Sequence, residues 1–205
     1  MRAQPKRKKT HFWLDLFACF LIPGYTLLFA GSVTWFGTNF SVLAVTGEGH
    51  YRGFFLWGVL GCAYFAGVLA GVGRTFSHRW QRVGLFLLAL LACGCLVGAL
   101  AVPYLPGDFP GWADLHVLLS FSACVLLMAA LLWALLACRR ENRAGCRTLF
   151  WGWWAIVAVS AVLFAAAGMV SSALEVFFTI SAALLARGLW YSRQSDGWKQ
   201  RKRGG

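Results

Sequence analysis

Six long runs of apolar residues dominate the chain, and short polar connections separate them. A helix needs about 20 mostly apolar residues to cross the hydrocarbon core of a bilayer, because each residue adds about 1.5 Å. The runs show no period-two alternation of the kind that membrane strands carry, so helices are predicted. The six predicted transmembrane helices span residues 12–36, 53–73, 83–102, 115–138, 148–170 and 173–191.

The composition of the chain agrees with a membrane location. Of its 205 residues, 60% are hydrophobic and only 13% are charged, whereas a soluble domain carries about 25% charged residues. Such a composition excludes both an ordinary soluble globule and a disordered chain. We therefore predict an all-α polytopic membrane bundle of six transmembrane helices. It forms one domain over residues 12–191, between basic tails at 1–11 and 192–205.

Basic residues are concentrated on one side of the predicted helices. Seventeen of the 19 lie in the two tails or in the connections 74–82 and 139–147. Because Lys and Arg of short loops stay on the cytoplasmic side, both termini are expected inside. The net charge of +12 then reflects topology and attraction to anionic lipid headgroups at the cytoplasmic face, and not nucleic-acid binding. Short loops favour the plasma (inner) membrane of a bacterium.

Cysteines and glycines carry structural predictions only. Every cysteine lies within a predicted helix or at its cytoplasmic end, and none lies in an outer loop. We therefore predict no structural disulfide. Gly67 with Gly71, and Gly94 with Gly98, are pairs of small residues four positions apart. Such pairs let helix backbones approach each other closely in a membrane.

His116 is the main candidate for chemistry. It lies in the first turn of the predicted fourth helix, and Ser120 follows four residues later on the same helix face. Such a pair suits a base with its nucleophile, or a metal ligand with its hydrogen-bond partner. His50 and Asp108 lie in neighbouring outer connections and Glu175 lies at the start of the sixth helix. These residues would add ligands suited to a divalent ion. Because their spacing matches no metal motif, His50 and His116 are only candidate ligands, and a hydrogen-bonded structural His116 is the competing interpretation.

The acidic residues near the predicted helix ends also have structural interpretations. Asp114 precedes the apolar run of the fourth helix and is predicted to cap it. Ser172 and Glu175 have the spacing of a capping box at the start of the sixth helix. Asp108 lies in a turn rich in proline and glycine. On the opposite side, Asp15 is expected to pair with the basic residues of the N-terminal tail.

No motif indicates a cofactor. Only His116 among the histidines lies inside a predicted helix, so two imidazoles are not expected to face each other across a haem. Nucleotide-binding, serine-hydrolase and zinc-protease motifs are absent from the sequence. We therefore expect no haem and no nucleotide, and leave other cofactors open.

The connection before the fourth helix carries Phe109 and Pro110, followed by His116, and the sequon Asn39-Phe40-Ser41 follows the first helix. With these residues and six short-looped helices, the chain resembles uncharacterised bacterial relatives of the Frag/DRAM-like membrane families. The resemblance implies a role in lipid or glycolipid handling or in membrane stress. It marks Phe109, Pro110 and His116 as site residues. In outline the chain also resembles the substrate-capturing subunits of vitamin transporters, which bind a small solute from outside and need an energising partner.

Three functions follow as hypotheses. The first is a membrane protein whose outer polar pocket binds a lipid headgroup or small solute through His116, Asp114, Glu175, His50 and Asp108. The second is a lipid-directed hydrolase or transferase that uses His116 with Ser120 or with a metal. The third is a substrate-capturing or assembly subunit with a membrane protein partner, for which the faces around Gly67 and Gly94 would form the contact.

Overall fold

The computed structural model describes residues 11–31, 34–46, 49–141 and 145–203, and these residues form helices without any strand. The predicted N-terminal tail therefore lies outside the described residues, except for His11. A π-helical segment, Phe17–Leu21, joins the first two helices. In chain order the helices are α1 (Phe12–Leu16), α2 (Ile22–Ala30), α3 (Phe40–Thr46), α4 (His50–Gly73), α5 (Arg79–Ala101), α6 (Pro110–Glu141), α7 (Arg147–Ala167) and α8 (Ser172–Arg203).

Six helical spans are long and apolar enough to cross a membrane, which confirms the predicted number and class. The first span combines α1, the π-helical segment and α2. The π-helical segment ends just before Pro23, which has no backbone N–H to continue the regular ladder of hydrogen bonds. The spans are Phe12–Ala30, His50–Gly73, Arg79–Ala101, Pro110–Arg140, Arg147–Ala167 and Ser172–Gln194.

The largest differences from the predicted helix ends occur in the first and last spans. The first span stops at Ala30 because Gly31 follows with a φ of +52°, a backbone conformation that leaves the helix and favours glycine. Farther along the chain, Phe40–Thr46 form the separate short helix α3, which the hydrophobic pattern did not predict. At the other end of the chain, α8 continues through most of the predicted tail to Arg203. Basic residues are favourable near the C-terminus of a helix, where its dipole is negative.

Helix α8 is the most enclosed of the six spans and α7 is the least. Half of the most apolar stretch of α8 is buried, compared with 11% for α7. Ala182, Ala183 and Ala186 of α8 have no exposed surface, and these small side chains let α2, α4 and α7 pack against one helix. The core of the described residues is therefore organised around α8.

Only one glycine of each predicted pair packs inside the chain. Gly71 lies against the indole ring of Trp190, and Gly98 lies against Leu119. Gly67 and Gly94 have no atom within 4 Å of the position where a Cβ would stand. Gly71 thus makes room for a side chain of α8 and Gly98 for a side chain of α6, while the other two glycines face open space.

Polar contacts join the first and last spans at the end of the helices that carries the basic connections. Asp15 accepts a hydrogen bond from Nε of Arg187 at 2.6 Å and another from the hydroxyl of Tyr191 at 2.8 Å. Asp15 is thus bound by α8, while the basic residues of the N-terminal tail with which it was predicted to pair lie outside the described residues. The sequence could not reveal this pairing because 172 residues separate the two charges.

A disulfide joins Cys138 to Cys146, so the prediction that the chain contains none was wrong. Cys138 lies near the end of α6 and Cys146 directly precedes α7. The two Cα atoms are 6.5 Å apart, within the range that a disulfide bridges. The prediction relied on the redox state of the compartment, which says nothing about which thiols meet in space.

Candidate functional site

At the start of the short helix α3, two side chains accept hydrogen bonds from free backbone amides. Asn39 caps the helix, because its Oδ1 accepts a hydrogen bond from the backbone N–H of Val42 at 2.9 Å. The backbone N–H of Phe40 donates to Oε2 of Glu175 at 2.7 Å. Glu175 of α8 therefore holds α3 in place, together with Ser41 in its first turn.

The start of α8 is built differently from the predicted capping box. Ser171 caps the helix, with its hydroxyl accepting from the N–H of Leu174 at 3.4 Å. The hydroxyl and the N–H of Ser172 both donate to the carbonyl of Thr38, at 3.1 and 2.7 Å. The capping-box prediction for Ser172 and Glu175 was therefore wrong. Both residues bind the segment that leads into α3, which lies more than 130 residues away in the chain.

His116 hydrogen bonds through both ring nitrogens. Its Nδ1 lies 2.7 Å from the carbonyl oxygen of Val102, and its Nε2 lies 2.7 Å from the hydroxyl oxygen of Ser41. A carbonyl oxygen can only accept, so Nδ1 must carry the proton. In the neutral ring, Nε2 is then unprotonated and accepts the hydrogen bond of the Ser41 hydroxyl. The arrangement is a serine, a base and a third group that orients the base.

Aromatic side chains enclose the histidine. Only 3% of the His116 surface is exposed, whereas Ser41 is partly exposed. The ring centroids of Tyr104 and Phe54 lie 5.7 and 6.5 Å from that of His116. Phe54 in turn belongs to a cluster of rings with Phe40 and its neighbours. The imidazole is therefore held in one orientation by packing as well as by its two hydrogen bonds.

Ser120 is not the hydroxyl that pairs with His116. The histidine side chain reaches across to α3 and to the end of α5, so both of its nitrogens are taken by residues outside its own helix. The i, i+4 spacing that suggested Ser120 puts two side chains on one face of a helix, but it does not determine what each one binds.

The remaining predicted site residues do not join His116. Asp108, Asp114 and His50 are all exposed. Asp114 is also not a helix cap, because α6 already begins at Pro110. Within the described part of the chain, no three His, Cys, Asp or Glu side chains come together as a metal site would require. The proposed ligands His50 and His116 therefore form no such cluster there.

Sequence reasoning missed three residues of this site: Ser41, Asn39 and Val102. In the sequence, Asn39 and Ser41 stand out only as parts of a glycosylation sequon. Their signal was a pair of polar side chains in an otherwise apolar stretch, which is also the composition of a helix start. Val102 takes part through its backbone carbonyl, and no side-chain pattern can indicate that.

The fold and these contacts define a multi-pass helical membrane protein with a buried histidine and a serine at one end of its spans. No family model matches the chain, and comparisons with curated proteins and with solved structures also return no match. The resemblance to the Frag/DRAM-like families therefore stays a prediction.

Proposed function

We propose that the protein is a membrane hydrolase or acyltransferase in which Ser41 is the nucleophile and His116 is the base. The observation that carries the proposal is the 2.7 Å contact between Oγ of Ser41 and Nε2 of His116, with Nδ1 of the same ring bound to a carbonyl oxygen. A nucleophile within hydrogen-bond reach of a base, which a third group orients, is the signature of covalent catalysis.

The chemistry proceeds in two steps. As Oγ of Ser41 attacks the carbonyl carbon of an ester, its proton moves to Nε2 of His116. The imidazolium that forms keeps its Nδ1 hydrogen bond to Val102. The bond to the leaving alcohol then breaks, and the alcohol takes the proton from Nε2, which leaves the acyl group on Ser41. Water or a second alcohol attacks this acyl ester, again with His116 as the base, and frees the serine.

A lipid ester is the substrate class that suits the position of the site. His116, the partner of Ser41, lies near the start of α6, where Phe109 directly precedes the helix and Trp112 lies in its first turn. Both of these aromatic side chains are more than half exposed, and aromatic residues favour the headgroup level of a bilayer. An ester bond of a membrane lipid lies at about the same depth.

Labelling with a fluorophosphonate tests the proposal, because its phosphorus reacts with an activated serine as an acyl carbon would. We expect the intact protein in detergent to be labelled at Ser41, and Ser41→Ala to abolish the labelling. The matched control is Ser120→Ala, which should label like the wild type. His116→Gln should slow labelling by about 100-fold, the usual contribution of a general base. Labelling that survives Ser41→Ala refutes the proposal.

A second candidate function is non-catalytic binding of a lipid headgroup or small solute at the same end. The exposed carboxylates of Asp108 and Asp114 favour it, since they flank the connection next to His116 and would attract a cationic headgroup. In this case native mass spectrometry should find a co-purifying lipid that is lost in Asp108→Asn/Asp114→Asn, while Ser41 stays unreactive towards the fluorophosphonate. An assembly role with a membrane partner would instead depend on the open glycines Gly67 and Gly94.

We propose that both termini lie in the cytoplasm of a cell whose plasma membrane holds the protein. The concentration of basic residues at one end of the spans supports this orientation. A green fluorescent protein fused to the C-terminus should fluoresce, and alkaline phosphatase fused there should be inactive.

A further inference from the structure

A groove of about 100 Å³ lies between the start of α5 and the end of α6, at the basic end of the molecule and far from Ser41. Its floor is closed, because Gln81 and Ala137 are both buried, while Trp80 and Leu136 at its edge are about half exposed. The groove therefore opens towards the outside of the helices. Its lining consists of Trp80, Gln81, Trp133, Leu136, Ala137 and Arg140.

Two indole rings form one wall of the groove. Trp133 packs over Gly84, where an added Cβ would lie 3.0 Å from its Cζ2 atom. Its Nε1 donates a hydrogen bond to the carbonyl of Gln81 at 3.2 Å, so the polar atom of the ring is satisfied. The ring of Trp80 meets Trp133 edge-on, with 5.7 Å between the centroids. The wall is therefore rigid and presents apolar surface to whatever enters.

The charge at the groove is positive. Arg140 lines it and is exposed, and none of the six lining residues is acidic. The preceding residue, Arg139, contacts α7 instead of the groove, since its guanidinium lies 4.1 Å from the ring centroid of Phe150. Arg79 and Arg82 flank Trp80 on α5 and add to the positive potential.

From this combination we infer that the groove binds a phospholipid with an anionic headgroup. The apolar wall and Leu136 contact the upper part of an acyl chain, and Arg140 binds the phosphate. Basic sites between transmembrane helices hold anionic lipids in this way, since each Arg near the surface contributes about one factor of five in affinity. A zwitterionic lipid offers the same chains but no net negative charge.

Native mass spectrometry of the full chain in detergent tests the inference, with dioleoyl phosphatidylglycerol and dioleoyl phosphatidylcholine as the probes. We expect the wild type to bind phosphatidylglycerol about fivefold more tightly than phosphatidylcholine. Arg140→Gln should reduce the affinity for phosphatidylglycerol about fivefold and leave the affinity for phosphatidylcholine unchanged. The matched control is Arg52→Gln, near the start of α4 and outside the groove, which should leave the affinities for both lipids unchanged.

A second variant tests the apolar part of the site. Leu136→Trp adds bulk at an exposed position, so the fold should survive while the groove is filled, and the affinity for both lipids should fall at least threefold. Three results would overturn the inference: equal binding of the two lipids by the wild type, an equal effect of Arg140→Gln and Arg52→Gln, or no effect of Leu136→Trp. The last result would mean that the apolar groove takes no part in lipid binding and that Arg140 acts only as a surface charge.

Discussion

Replacing Gly71 with alanine should destabilise the protein, whereas the same change at Gly67 should not. A Cβ at Gly71 would lie 3.0 Å from Cε3 of Trp190, with two other ring atoms closer still. Real Cβ atoms do not tolerate such contacts, so α4 or the indole ring must move. At Gly67 nothing lies within 4 Å of the added atom. The two positions are one helical turn apart in α4, which makes them a matched pair.

The size of the difference follows from two opposing terms. Gly→Ala inside a helix stabilises by about 0.5–1 kcal/mol, because alanine has less backbone freedom to lose on folding. This gain applies to both variants. Overpacking in a core costs about 1–3 kcal/mol, and it applies only to Gly71→Ala. The free energy of unfolding of the two variants should therefore differ by about 1–3 kcal/mol, with Gly71→Ala the less stable.

Thermal unfolding in detergent, followed by intrinsic fluorescence, measures this difference. For a chain of this size, 1 kcal/mol corresponds to a Tm shift of about 2–4 °C. The double variant Gly71→Ala/Trp190→Ala identifies the cause, since removing the indole should make alanine harmless at 71 when compared with Trp190→Ala alone. Equal Tm values for Gly67→Ala and Gly71→Ala would refute the reasoning, as would a penalty that persists without the indole.

Two further predictions concern the contacts of α8. Glu175→Ala removes the acceptor for the N–H of Phe40 and should lower the free energy of unfolding by about 1 kcal/mol. Fluorophosphonate labelling of Ser41 should also decrease in this variant. Glu175→Gln keeps an acceptor oxygen, so Ser41 should be labelled normally. Asp15→Asn and Arg187→Gln should show a coupling energy of about 1 kcal/mol in a double-mutant cycle of thermal stability. The value stays small because both side chains are about one-third exposed and solvent screens the pair. Strictly additive effects of the two substitutions would contradict the contact.

The sequence predicted the class of fold because the physics of a bilayer acts locally. A run of about 20 apolar residues can satisfy its backbone only as a helix in hydrocarbon, and this holds whatever the neighbouring helices do. The six spans and their approximate ends could therefore be read from composition and periodicity. Helix ends set by one residue, such as the stop at Gly31, were placed less well.

The partners of the polar side chains could be decided only by the tertiary structure. His116 binds Ser41 rather than Ser120, and Asp15 binds Arg187, which lies 172 residues away in the chain. Glu175 binds the amide of Phe40 rather than its own helix. In each case, local spacing suggested a neighbour in the chain, while the packing of helices brought a distant group closer.

What the sequence alone determined is thus the number and character of the spans and the concentration of positive charge towards one end. The tertiary structure decided which polar groups meet. The physical reason is that hydrophobic burial sums over many residues and tolerates local error, whereas a hydrogen bond requires two particular atoms within about 3 Å. Placing Oγ of Ser41 against Nε2 of His116 required α3, α5, α6 and α8 to be packed together first.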